Sequence, residues 1–251
     1  MLRRPRPWIL PLFGLLLATP WLSAPALAQK KSGVLPFRFT RAPFSLMSLS
    51  VGAPAHGFQL RAKKLKPSSF LKIKTGSSRN AYAHPSLVLM LQRSAREVSQ
   101  AGKGAVMLVG DLSSEGGGPL TGHVSHQSGR DADIGFYVLD KSGKSKLLDH
   151  FLTFRSDGSC VQDPELRFDD WRNWLLVQSW VRDRRAGLSH IFVSRPLRQR
   201  LLDFAAKNPS FAKYVTPAAV LLKQPEDAAP HDDHFHVRIA CPSSQTEICN
   251  P

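Results

Sequence analysis

His231-Asp232-Asp233-His234-Phe235-His236-Val237-Arg238-Ile239-Ala240 is the stretch on which the reading of this chain turns. From His234 to Ala240 polar and apolar residues alternate, the period of a strand with one buried face. Phe235, Val237 and Ile239 fall on the face toward a core, while His234, His236 and Arg238 share the other. Two imidazoles on one rigid face lie about 7 Å apart by strand rise, near enough to share a metal. His231 stands just upstream.

A second cluster, His123-Val124-Ser125-His126-Gln127-Ser128-Gly129-Arg130-Asp131-Ala132-Asp133, lies far upstream. Of the nine histidines, five fall in these two stretches. Such clustering suits a metal site whose ligands come from distant parts of the chain. Gly116-Gly117-Gly118-Pro119 predicts a loop leading into the cluster, and Ser128-Gly129-Arg130 a turn that returns His126 toward Asp133. The spacing predicts a strand from Asp133 to Leu139. Two histidines and one carboxylate leave a fourth position for water, the pattern of a catalytic zinc. A closed structural zinc site would want more thiolates, and calcium or magnesium more oxygens.

Outward from these clusters, Leu87, Met90, Leu91, Ala95 and Val98 follow helical spacing between Pro85 and Gly102. Ala105 to Val109 predicts a short buried strand. Asp169 or Asp170 caps a helix through Trp171, Trp174, Leu175, Gln178 and Val181. Leu188 to Val193 predicts another strand, and Pro196 opens a helix carrying Leu197, Leu201 and Phe204. The sum is a single α+β domain, with a mostly antiparallel sheet and flanking helices. Residues 30–85 read instead as an irregular, basic, partly extended and solvated lobe. Arg61, Lys63, Lys64, Lys66, Lys72, Lys74 and Arg79 occur there with no acidic residue. Ser69-Phe70-Leu71-Lys72 and Lys74-Thr75-Gly76 match two motifs of penicillin-binding enzymes, but in those enzymes the motifs lie far apart in sequence and face each other across a cleft. Here one residue separates them, so that reading fails.

At 251 residues the chain has enough material for one core. Arg3, Arg4 and Arg6 precede an apolar run from Trp8 to about Leu22, which ends near Ala26-Leu27-Ala28. Pro11 and Pro20 interrupt the run, so residues 1–28 read as a cleaved export signal rather than a membrane span. Residues 29–50 follow as a linker and 51–251 as the folded domain. Losing three arginines takes the net charge from +15 to +12. A basic exported protein is drawn to polyanions of the cell envelope, and export argues against nucleic acid as partner. Cys241 and Cys249, separated by a turn-like Pro242-Ser243-Ser244, are expected to form a disulfide, leaving Cys160 as a buried thiol.

Ser125-His126-Gln127-Ser128-Gly129-Arg130-Asp131-Ala132-Asp133 with His234-Phe235-His236 resembles the zinc peptidase group of lysostaphin-type enzymes, D-Ala-D-Ala metallopeptidases and the hedgehog domain. Within that group the chain is most similar to the penicillin-insensitive murein endopeptidases. Gly110-Asp111-Leu112, Thr121-Gly122-His123 and Cys241-Pro242 extend the resemblance from about Val51 to Cys249. It implies a fold of the hedgehog and D-Ala-D-Ala metallopeptidase kind, with His126, Asp133 and His236 as ligands of one Zn2+. It further implies His234 as general base or stabiliser of the tetrahedral intermediate, with His231 assisting. His123 is a pocket residue and a possible ligand. Some family members hold a second metal through this position and a downstream Asp-x-x-His. Here Asp157-Gly158-Ser159-Cys160 has cysteine in the histidine place, and Asp149-His150 is a weaker substitute, so a second zinc is not expected. The implied activity is periplasmic hydrolysis of D-alanyl–diaminopimelyl cross-links, with peptidoglycan stem peptides and the sacculus as partners. A D,D-carboxypeptidase, using Arg130 or Arg238 to hold a terminal carboxylate, is the first alternative. A non-catalytic metal-binding or cell-wall-binding protein is the second.

Overall fold

The structure, a computed structural model, describes residues 35–226 and 228–251. The expected export signal and the start of the expected linker lie outside the described residues. In chain order the main elements are β1 (Leu49–Ala53), β2 (His56–Leu60), β3 (Leu71–Ile73), α1 (Pro85–Ala101), β4 (Met107–Val109), β5 (Asp131–Gly135), α2 (Asp170–Arg182), β6 (Leu188–Phe192), α3 (Arg195–Ala206), α4 (Ala212–Leu221), β7 (Leu222–Lys223) and β8 (His234–Ile239). Six strands make the central sheet in the order β7-β6-β8-β5-β4-β3. Its three inner pairings are antiparallel and its two outer ones parallel. The fold is therefore α+β with a mostly antiparallel sheet, as expected.

The alternation in the last strand decides which side of the sheet is core. Phe235, Val237 and Ile239 are buried, and Phe235 meets Phe136 and Trp180 edge-on at 4.7 and 5.6 Å. Trp180 comes from α2, so the helices cover this face. Helix α1 starts where Pro85 presets the backbone and the neutral His84 ring accepts from the Ser86 amide at 3.3 Å. Asp169 does the same for α2, accepting from the Arg172 amide at 3.0 Å.

Two expectations need correction, and one helix is new. Residues 30–85 are not simply an irregular, solvated lobe: β1 and β2 form a hairpin, and β3 joins the central sheet beside β4. Leu65 and Leu71 are buried in the main core, while Phe39 and Leu49 pack with Ile248. The density of lysines hid these apolar positions. The strand expected over Asp133–Leu139 begins two residues earlier and ends at Gly135, because Phe136 turns into the aromatic core against Phe154, Phe168 and Phe235. Val138–Leu139 then pairs in a separate small sheet. Helix α4 was not anticipated, since Pro217 inside it removes a donor and breaks the helical pattern.

Cys241 and Cys249 form the expected disulfide, and Cys160 is free and buried. The loop so closed packs on the hairpin: Gln245 accepts from the Ser50 amide at 2.8 Å, and Gly52 pairs with Cys249. Among the described residues, no helix is long and apolar enough to cross a membrane.

Candidate metal centre

Register assembles the site. Across the β8–β5 pair, His236 stands opposite Asp133, Arg238 opposite Asp131, and His234 opposite Gly135. Directly opposed side chains in an antiparallel pair share a face, so two carboxylates, two imidazoles and a guanidinium meet on the side away from the helices. The glycine leaves room for Phe151, which stacks on the His234 ring at 4.9 Å.

The loop before β5 supplies the rest. His126 sits in the left-handed region at φ +69°, uncommon for a residue with a side chain. Ser113 holds it there by donating its hydroxyl to the His126 carbonyl. Gly129 also has positive φ, and a Cβ there would lie 1.9 Å from Gln59 Oε1. Ser50 donates to the Ser128 carbonyl at 2.6 Å, and the His84 amide donates to the Gly129 carbonyl at 2.8 Å. Arg130 is buried, its guanidinium donating to Ser128 Oγ and the Asn250 carbonyl. The hairpin and the disulfide-closed tail therefore clamp the loop from both sides. This use of Arg130 corrects the expectation that it could hold a substrate carboxylate.

Four imidazoles surround Asp133, and each donates its outer N–H to an oxygen. His126 Nδ1 donates to the Leu112 carbonyl at 2.6 Å, His234 Nδ1 to Asp233 at 2.6 Å, His236 Nε2 to Asp131 at 2.8 Å, and His123 Nε2 to Asp111 at 3.2 Å. These acceptors fix the tautomers and leave the other nitrogen of each ring turned inward. His126 Nε2, His234 Nε2 and His236 Nδ1 stand 3.3, 3.4 and 3.6 Å from Asp133 Oδ1, and His123 Nδ1 is 3.7 Å from Oδ2. Donors bound to one tetrahedral ion at about 2.0–2.1 Å are separated by about 3.3–3.4 Å, so this is ligand spacing. His126 Nε2 and Asp133 Oδ1 are both buried without a hydrogen-bond partner.

Charge tells the same story. Burial resists protonation of His126, yet Asp133 outweighs it and carries the ring up to about 9. His234 is likewise opposed by burial but pushed up to about 10 by Asp133 and Asp233. His126 and His234 thus draw in protons, while burial pushes His236 down, and a divalent cation beside Asp133 would take the protons' place. His231 behaves oppositely: burial, then the neighbouring rings of His234 and His236, push it down to about 4. It stands 5.2 Å from His234 and 5.6 Å from His236, ring to ring, as a neutral imidazole.

His123, His126, Asp133, His231, His234 and His236 are therefore together. The donor atoms of His123, His126 and Asp133 all lie within 4.8 Å of one another, so His123 belongs to the group able to hold a metal. Neither candidate for a second metal joins them: Asp157 bonds to Ser159, Cys160 is buried in the core, and Asp149 bonds to exposed His150. Sequence reasoning missed Asp111, Asp131, Asp233 and Phe151. Asp131 carried a signal, since two residues of alternation separate it from Asp133, but Phe151 carried none.

The family model described as penicillin-insensitive murein endopeptidase matches residues 50–251. A penicillin-insensitive murein endopeptidase of Haemophilus influenzae is 30% identical over 203 residues, covering 77% of this chain and 64% of the relative. Its counterparts in Escherichia coli O1:K1 and strain SMS-3-5 are each 30% identical over 204 residues, covering 79% of this chain and 68% of theirs. The chain thus spans about two thirds of the length of these relatives. With its site already assembled from the register of β5 and β8, this chain belongs to the penicillin-insensitive murein endopeptidase family.

Proposed function

We propose that this protein is a zinc-dependent endopeptidase that acts outside the cytoplasm on the D-alanyl–diaminopimelyl cross-links of peptidoglycan. The observation that carries the reading is the ring of imidazoles whose free nitrogens all face Asp133 at ligand spacing. His126, Asp133 and His236 hold the ion. They are the most buried members of the cluster, and each imidazole is locked by an outer acceptor. A zinc ion there would supply an acidified water and polarisation of the scissile carbonyl.

The chain's own residues supply the rest. His234 lies nearer solvent than His236, and its Nε2 faces the site while Asp233 holds Nδ1–H. It takes a proton from the attacking water and returns it to the leaving amine. A cation at Asp133 removes the main reason for its high basicity and leaves it free to cycle. His231, neutral and 5.2 Å from His234 ring to ring, assists it. His123, with Nδ1 3.7 Å from Asp133 Oδ2, is a further donor beside the ion, held by Asp111, which that hydrogen bond keeps down at about 2.

Digestion of purified sacculi, with and without chelator, tests this. Loss of cross-linked dimers that stops on chelation and resumes with zinc is expected. Shortening of pentapeptides with dimers intact would show a carboxypeptidase instead. A zinc-loaded protein that leaves sacculi untouched would show a binding protein.

A further inference from the structure

Arg130 is spent within the fold and Arg238 gives its Nε to Asp131, which leaves a place for a further cation to meet a carboxylate of the peptide. Lys74 lies one aromatic ring away from His234. Its backbone follows β3 directly, with its amide donating to the Val109 carbonyl at 2.7 Å and its carbonyl accepting from Ser77 at 3.0 Å. The stem is thus fixed at the edge of the central sheet, beside Gly110. Phe151 lies over this glycine, where a Cβ would come within 2.6 Å of its Cζ. The Phe151 ring stacks on His234, and the Lys74 ammonium stands 5.5 Å from that ring's centre. One aromatic ring therefore links the ammonium to the proposed base.

Among the described residues, Lys74 makes no ion pair, whereas Asp149 lies in the field of its neighbour Lys72. Its stem is partly buried. A cation held at an aromatic face, with no carboxylate partner among the described residues, stays free to meet an anion. The aromatic face steadies the ammonium without neutralising it.

We infer that Lys74 is a substrate-binding residue that recognises a free carboxylate next to the scissile amide. This rests on the murein reading, in which the diaminopimelyl residue carries such a carboxylate beside the amine that leaves. The contact orients the cross-link and selects acidic peptides over their amidated counterparts.

The test uses two purified cross-linked muropeptide dimers, one with that carboxylate free and one with it converted to the carboxamide. The zinc-loaded wild type should favour the free acid by about 10- to 100-fold in kcat/KM, as one charge-assisted contact would. Lys74→Met should bring the ratio close to one, and Lys74→Arg should restore most of it. If Lys74 only supports Phe151, Lys74→Met slows both dimers equally and the ratio stands, which overturns the inference. A wild type that does not discriminate overturns it too. Failure of the zinc-loaded wild type to cleave either dimer overturns the murein reading and the inference together, so the two failures are distinct.

Discussion

Asp131 makes the sharpest structural prediction, because the register of β5 and β8 gives it two roles at once. It is fully buried, and its Oδ1 accepts from His236 Nε2 at 2.8 Å and from Arg238 Nε at 2.6 Å. The first bond places the His236 proton on Nε2 and leaves Nδ1 facing Asp133. Burial opposes ionisation of Asp131, but the hydrogen bond from His236, with the Arg238 charge adding to it, keeps the carboxylate ionised. Asp131→Asn conserves shape and removes the charge, so the proton of His236 is free to move to the inner nitrogen. Outer-shell partners of this kind are worth about 10- to 100-fold in metal affinity, or about 1.4–2.8 kcal/mol. Two charge-assisted bonds are weakened as well, so the metal-free protein should lose about 1–3 kcal/mol of stability. Zinc affinity measured by competition with a chromogenic chelator separates the two effects when Asp183→Asn serves as control. That change breaks a comparable pair with Arg93 on the helical layer and should cost stability without moving zinc affinity. Zinc binding by Asp131→Asn within twofold of wild type would refute the tautomer argument.

His236→Ala and His234→Ala should fail differently: the first should lose zinc and turnover together, the second should keep zinc while hydrolysis slows by about 10²–10⁴-fold. Metal analysis and rate on the same preparations decide, and equal zinc loss would show His234 to be a ligand. Acid should destabilise the fold partly through His84, which burial pushes down from 6.5 to about 4. Because the folded state resists a proton that the unfolded state accepts, its contribution is complete above 6.5. It is lost as pH falls toward 4, by about 2–3 kcal/mol. His84→Asn, which can still cap α1, should narrow the stability difference between pH 7 and pH 4.5 in urea melts; an unchanged difference would refute this.

Much of the site was legible because its period was. Alternation from His234 to Ile239 assigned both faces of β8 correctly, and the return of His126 to Asp133 followed from the Ser128-Gly129-Arg130 turn. What stayed hidden was the partner of each imidazole. Asp131 reaches His236 only through strand register, which no local pattern specifies. The Leu112 carbonyl reaches His126 only through a backbone at positive φ. The N-terminal region misled for another reason: lysines at Lys63, Lys64 and Lys66 surround the buried Leu65, so solvation of the long side chains masked a core position. Phe151 belongs to a loop with no period, and two glycines distant in sequence make room for it.

The most direct measurement is titration of zinc into metal-free protein while cleavage of cross-linked muropeptide dimers is followed in the same samples. The account predicts tight uptake of one equivalent, with activity rising in proportion to occupancy and levelling at that point. Full activity before any zinc is added, or a fully loaded protein with no cleavage, would contradict it.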